Sequence, residues 1–138
     1  MELSRQETID ADPSVVWAFA IDVERWPDVM DHIDRIERCD RDQFGLGSAA
    51  TLLQPGVPTT VWTVDRFAKG ESFQWWGRPF GIVMTADHII EPAGRGASRL
   101  TLSVTASGWR AALLGPLLRK AIERALEKEF SGFRAACE

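Results

Sequence analysis

The two histidines are the side chains best suited to proton transfer near neutral pH. His88 lies within an apolar segment predicted to be a strand, where it shares a face with Met84 and Ala86. If that face lines an internal space, the imidazole could orient a ligand oxygen or act as a general acid or base. A core histidine bonded to a neighbouring carbonyl or carboxylate is the alternative, and the sequence leaves both open.

Three arginines could supply positive charge beside such a space. Arg66, Arg78 and Arg99 are the cations predicted nearest its mouth, where a guanidinium could hold a carboxylate or stabilise an enolate. Solvation at the surface is the ordinary role of arginine. The candidate catalytic residues are therefore His88, Arg66 and Arg78, none of which belongs to a recognisable catalytic motif.

Metal and cofactor chemistry finds little support in the sequence. Asp28, Asp31 and His32 form a polar cluster, but no His-Glu-x-x-His helix or Cys-rich spacing accompanies it. Cys39 and Cys137 are too few and too far apart for a disulfide framework or a zinc pattern. We expect a solvated loop at the cluster, free thiols, no metal site and no cofactor.

Composition narrows the class of protein. With 138 residues, 45% hydrophobic and 26% charged, the chain is predicted to form a single globular domain over residues 1–138. The net charge of -4 argues against a phosphate-binding surface, and hence against nucleic acid. There is no apolar run of membrane-spanning length and no signal-peptide pattern at the start. We expect a cytoplasmic protein without stable membrane insertion.

Aromatic side chains dominate the predicted inner surface. The chain has 6 Trp and 7 Phe but no Tyr, so its aromatic surface is large and mostly apolar. Alternation places Trp62 with Val64, and Phe73 with Trp75, on shared strand faces. Each could instead be ordinary core. The predicted ligand contacts are Trp26, Met30, Trp62, Val64, Phe73, Trp75, Met84, His88, Leu102, Leu118 and Ile122.

The elements that must position these side chains are a first helix, a series of strands and a long last helix. Asp12 can cap a helix through its carboxylate, and Pro13 suits the first helical position. Turn residues then separate alternating segments typical of antiparallel strands. From about 109 to 136 an amphipathic pattern predicts a helix, kinked where Gly115 precedes Pro116.

Several short segments occur in an order that resembles a known family. They are Ala11–Trp17, Asp22–Pro27, Phe44–Gly47, Trp62–Val64, Trp75 and His88–Pro92. In this order and spacing, over nearly the whole chain, they look like the polyketide cyclase/dehydrase branch of the START-like helix-grip superfamily (SRPBCC). The resemblance implies an α+β fold. In it, a curved seven-stranded antiparallel sheet wraps around the long C-terminal helix, two short helices follow the first strand, and an apolar cavity lies inside.

The resemblance also implies what such a cavity could do. Members of this superfamily bind lipids, steroids, polyketides or plant hormones, and a minority catalyse aromatic ring closure or dehydration. The leading prediction is binding of a hydrophobic, lipid-like or aromatic, small molecule. The alternatives are a cofactor-free cyclase or dehydratase using His88 with an arginine, and a protein-interaction module. The absence of tyrosine weighs against the enzyme. A homodimer is left open.

Overall fold

A computed structural model describes residues 1–138 of the protein. Two α-helices and seven strands account for most of the chain, with 3₁₀ turns at Val23–Asp28 and Pro79–Gly81. The elements are β1 (Glu2–Ile9), α1 (Pro13–Ile21), β2 (Arg35–Arg38), β3 (Ala49–Gln54), β4 (Val57–Ala68), β5 (Ser72–Gly77), β6 (Val83–Pro92), β7 (Ser98–Ser107) and α2 (Trp109–Cys137).

The strands form one antiparallel sheet in the order β1-β7-β6-β5-β4-β3-β2. The register shifts between Leu52 and Gln54 on β3, and again between Val64 and Arg66 on β4. Irregularities of this kind bend a strand and increase its twist, which lets the sheet curve around a helix. The predicted α+β fold, with a seven-stranded sheet and a long C-terminal helix, is confirmed.

The start of α1 agrees with the sequence pattern except in the group that caps it. Asp12 has extended backbone angles and Pro13 is the first helical residue, as predicted. The side chain of Asp12 makes no capping hydrogen bond, so the predicted role of its carboxylate is wrong. Its backbone carbonyl accepts instead from the N–H groups of Val15 and Val16, at 2.9 and 3.1 Å.

Helix α2 is kinked at the predicted position. Gly115 has φ 40° and ψ −116°, a conformation that a residue with a Cβ rarely adopts, and Pro116 follows without a backbone donor. Beyond the kink, α2 packs on the inner face of the sheet and against α1. None of the helices is both long enough and apolar enough to cross a membrane.

A glycine allows α2 to approach the loop after the first 3₁₀ turn. Gly132 is buried, and a Cβ built on it would lie 2.5 Å from the Cγ atom of Met30 and 3.2 Å from the carbonyl oxygen of Val29. These distances are below van der Waals contact, so any other residue here would push the helix and the loop apart. The C-terminal half of α2 is therefore held closely against the rest of the core.

Candidate functional site

A cavity of about 230 Å³ lies between α2 and the inner face of the sheet. Fifteen of the nineteen residues in its wall are hydrophobic, so the space suits an apolar guest. Phe80 belongs to the wall although its side chain is 54% exposed, which places an opening of the cavity at the second 3₁₀ turn. The wall comprises Trp26, His32, Ile33, Leu52, Gln54, Val57, Trp62, Trp75, Pro79, Phe80, Ile82, Met84, Ala86, Val104, Leu118, Ala121, Ile122, Ala125 and Glu129.

Short side chains on α2 and on the strands that face it explain why a cavity remains between the helix and the sheet. On α2 the wall includes Ala121 and Ala125, and on the strands it includes Ala86 and Val104. A larger side chain at any of these positions would project into the cavity. The space is therefore a consequence of residue size along β6, β7 and α2, as well as of the bend in the sheet.

The residues predicted to contact a ligand fall into two groups. One group lies in the cavity wall and consists of Trp26, Trp62, Trp75, Met84, Leu118 and Ile122. The other group is fully buried in the packed core beside the cavity and consists of Met30, Val64, Phe73, His88 and Leu102. The structure thus brings the predicted contacts to the same interior, but only the first group borders the space.

None of the predicted arginines is a wall residue, although Arg78 directly precedes the turn at which the cavity opens. Arg66 and Arg99 are exposed on β4 and β7, and Arg78 borders a surface groove with Trp76 and Phe80. No lysine or arginine occurs among the wall residues. No guanidinium therefore lines the interior of the cavity.

Glu129 is a wall residue that the sequence reasoning missed. It lies on α2 with only 16% of its side chain exposed, and its Oε1 atom lies 3.7 Å from Nε2 of the buried His88. A signal was present, because position 129 follows Ile122 by seven residues and Ala125 by four, on the apolar face of the helix. An acidic residue on that face places a carboxyl group inside the fold.

The surroundings of His88 determine which ring nitrogen faces Glu129. Nδ1 lies 3.3 Å from the carbonyl oxygen of Phe73, which can only accept a hydrogen bond, so Nδ1 carries the hydrogen. In a neutral imidazole Nε2 would then present a lone pair to Glu129. Nε2 is therefore the ring nitrogen through which His88 faces Glu129.

Stacking holds the imidazole in place. The rings of His88 and Phe73 are 4.3 Å apart and inclined by only 13°, and Trp26 and Trp75 lie edge-on or tilted against the same imidazole. These contacts fix the ring plane, so Nε2 remains directed at Glu129. His88 thus reaches the cavity through Glu129 and does not border it.

The second histidine is also part of the wall. Burial lowers the pKa of His32, and the nearby Glu129 carboxylate opposes that shift. Nδ1 of His32 is shielded from solvent and has no hydrogen-bond partner. The neutral form is therefore favoured at His32, which adds a second polar group to the same wall.

The polar cluster before β2 makes an ion pair with α2. An oxygen of the exposed Asp31 lies 3.0 Å from Nζ of Lys128, and this hydrogen bond and charge lower the pKa of Asp31. Asp28 is exposed, while His32 turns to the cavity. No group of three or more His, Cys, Asp or Glu side chains is arranged to hold a metal ion.

The sheet also positions the indole of Trp62. A Cβ built on Gly77 of β5 would lie 2.9 Å from Cδ2 of Trp62 and 3.1 Å from Cγ2 of Thr60, so the indole packs directly on the glycine backbone. Nε1 of Trp62 is buried and has no acceptor. Gly77 thus sets how far this wall residue stands from the strand.

Similarity over the whole chain identifies the family. Residues 1–138 match the family described as polyketide cyclase / dehydrase and lipid transport. The protein belongs to this family. No curated protein sequence matches the chain significantly.

Solved structures similar to this member of the family share its architecture at low identity. A hypothetical protein from Helicobacter pylori superposes with a TM-score of 0.83 and 14% identity, covering 100% of this chain and 88% of that one. A START superfamily protein from Mycobacterium smegmatis gives 0.80 and 13%, covering 97% and 94%. The Zhui aromatase/cyclase from Streptomyces sp. R1128 gives 0.79 and 14%, covering 98% and 93%. The fold is therefore a START-like helix-grip fold.

Proposed function

We propose that the protein binds a small hydrophobic molecule in the cavity between α2 and the sheet. The observation that carries this proposal is an apolar space of about 230 Å³ inside an otherwise well-packed interior. Empty apolar space forfeits dispersion contacts, which a guest of matching shape restores. The family description, which includes lipid transport and polyketide chemistry, supports the same conclusion.

The wall favours a flat aromatic guest over a long acyl chain. Trp26, Trp62 and Trp75 contribute indole surface to the wall, and such surface packs well on planar rings. The volume is below the roughly 300–1,000 Å³ of pockets for drug-sized ligands, so the guest is small. Burial contributes about 2.5 kcal/mol per 100 Å² of apolar guest surface at ~25 cal/mol per Å².

The test is equilibrium dialysis with naphthalene as the probe. Wild-type protein should bind naphthalene, and Ala125→Phe should weaken binding at least about tenfold by filling the space. Ala135→Phe, at an exposed position of the same helix, is the matched control and should bind like wild type. Native mass spectrometry of the protein as purified from cells would detect a retained guest.

Two results would count against this function. One is that wild type binds neither naphthalene nor any compound of a panel of lipids and polyketide-like aromatics. The other is that Ala125→Phe binds naphthalene as well as Ala135→Phe does, which would place the bound probe outside the cavity.

A second candidate function is ring closure or dehydration of a bound polyketide-like substrate. The observation that favours it is the Glu129 carboxyl, which borders an apolar space and is backed by His88. A carboxyl group beside an imidazole could donate a proton to a leaving hydroxyl or accept one from a carbon acid. His88→Asn should then lower turnover of a poly-β-ketone substrate far more than its binding. Equal losses of turnover and binding would reduce His88 to a packing residue.

A further inference from the structure

We propose that the guest carries one uncharged hydroxyl group, which donates a hydrogen bond to Glu129. This inference rests on the proposed binding function and specifies the ligand as a small aromatic alcohol or phenol. The juxtaposition behind it is a carboxyl group in the wall of an apolar cavity, 3.7 Å from a buried histidine that does not itself border the cavity.

The carboxyl group of Glu129 has unused hydrogen-bonding capacity. One of its oxygens faces Nε2 of His88 at 3.7 Å, and the structure shows no hydrogen bond from another protein group to this carboxyl. A carboxyl group accepts several hydrogen bonds. It therefore keeps acceptor capacity that a donor on the guest can use, and the apolar wall makes an unused acceptor costly.

The wall around Glu129 offers no strong positive charge. The nearest titratable neighbour that faces its carboxyl group is His88, at 3.7 Å, and no lysine or arginine lines the cavity. A guest with a carboxylate would bring a negative charge into a wall that contains no lysine or arginine. A guest with an ammonium group would have to be desolvated against a mostly apolar wall, and that cost can exceed the gain from pairing with one carboxyl group. Burying an unpaired charge is costly, so the site favours a neutral donor.

The other polar groups in the wall carry no positive charge. His32 is favoured in its neutral form by burial and its Nδ1 atom is shielded from solvent, while Gln54 and the Nε1–H group of Trp62 are uncharged. None of them supplies the positive charge that an anionic guest requires. The wall as a whole therefore suits a neutral, mostly apolar molecule with a hydroxyl group at the end nearest Glu129.

The experiment measures four related probes on the full chain by equilibrium dialysis. Naphthalene tests the cavity alone, 2-naphthol adds a donor, 2-methoxynaphthalene has the same oxygen without a donor, and 2-naphthoate carries the charge. We expect 2-naphthol to bind about tenfold more tightly than 2-methoxynaphthalene, which is the scale of one buried hydrogen bond. We expect 2-naphthoate to bind the most weakly of the four.

A variant tests whether Glu129 causes the preference for 2-naphthol over 2-methoxynaphthalene. Glu129→Leu removes the acceptor and should abolish the preference for 2-naphthol while naphthalene still binds. Glu127→Leu, at an exposed position of α2, should retain the preference. If Glu129→Leu fails to fold, the ratio of 2-naphthol to 2-methoxynaphthalene in wild type still decides the inference.

The outcomes separate this inference from the proposed function. Equal binding of 2-naphthol and 2-methoxynaphthalene, or tightest binding of 2-naphthoate, would overturn the hydroxyl inference while leaving cavity binding intact. Failure of all four probes to bind would instead overturn the proposed function, and this inference with it.

Discussion

The two ends of the interior between α2 and the sheet differ in how completely they are filled. At one end Phe19, Trp26, Phe44, Phe73 and Phe133 form an aromatic cluster, with ring centroids of Phe19 and Phe133 5.0 Å apart and those of Phe44 and Phe73 5.2 Å apart. At the other end the short side chains of the cavity wall leave space. The same helix and the same sheet thus make a filled region and an open one.

The difference shows that residue size along one helix face determines where the fold is closed. Around the C-terminal turns of α2, Phe130 and Phe133 fill the interior and Gly132 allows close approach to Met30. Two turns earlier, the half-buried Ala125 and the more exposed Ala121 border the cavity. Glu129 lies between the two regions. Its carboxyl group faces His88 in the filled region and borders the cavity in the open region.

The largest expected effect is the difference in stability between a variant with a shortened side chain in the filled region and one with a shortened side chain beside the cavity. Phe133→Ala, in the aromatic cluster, should lower the free energy of unfolding by about 3–5 kcal/mol because it leaves a cavity in a fully buried site. Leu118→Ala, beside existing space and only half-buried, should lower it by less than about 2 kcal/mol. Urea denaturation measures both free energies of unfolding, and equal losses in the two variants would contradict the difference between the filled region and the open one.

A smaller effect is expected from adding one methyl group at the filled end. Gly132→Ala should cost about 1–3 kcal/mol from overpacking against Met30 and the Val29 carbonyl, offset by up to ~1 kcal/mol of improved helix propensity. The exposed Ser131→Ala is the control and should change stability by less than about 0.5 kcal/mol. A stabilised Gly132→Ala would show that α2 is not closely packed here.

The smallest expected effect is the pH dependence contributed by His32. Because burial lowers its pKa from the ordinary 6.5, the unfolded chain binds a proton at a higher pH than the folded chain does. The free energy of unfolding should therefore fall as pH drops from about 6.5 toward the lower folded-state pKa, and His32 should add no slope above about pH 7.5. His32→Asn should reduce that slope between pH 5 and 7. An unchanged slope would show that His32 is as accessible to protons as in the unfolded chain.

The architecture was accessible from the sequence because its signals are local and repeated. Pro13 marked the start of α1, and the pair Gly115 and Pro116 marked the kink in α2. Strand alternation placed Trp62 and Trp75 on the inner face. In each case a single residue type restricts the backbone, or a period of two or 3.6 residues identifies a face, so no knowledge of distant contacts was needed.

The site was less accessible because a cavity depends on the volume left between distant elements. Whether Phe73 borders a space or packs against His88 is decided by the sizes of side chains on β6 and α2, which alternation does not report. Glu129 could have been found from the helical period, since it shares a face with Ile122 and Phe133. The candidate arginines were chosen by charge alone. Arg66 follows the buried Val64 by two residues, but the register shift between them leaves Arg66 exposed.

The most direct measurement is a crystal structure of the protein grown with 2-bromonaphthalene, with the bromine located by its anomalous scattering. The proposed function predicts a bromine peak within the cavity, between Ala86 on β6 and Ala125 on α2, with the indoles of the wall packed on the naphthalene rings. A structure in which Trp26, Trp75 or Leu118 has moved to fill that space, with bromine found only at the surface, would contradict it.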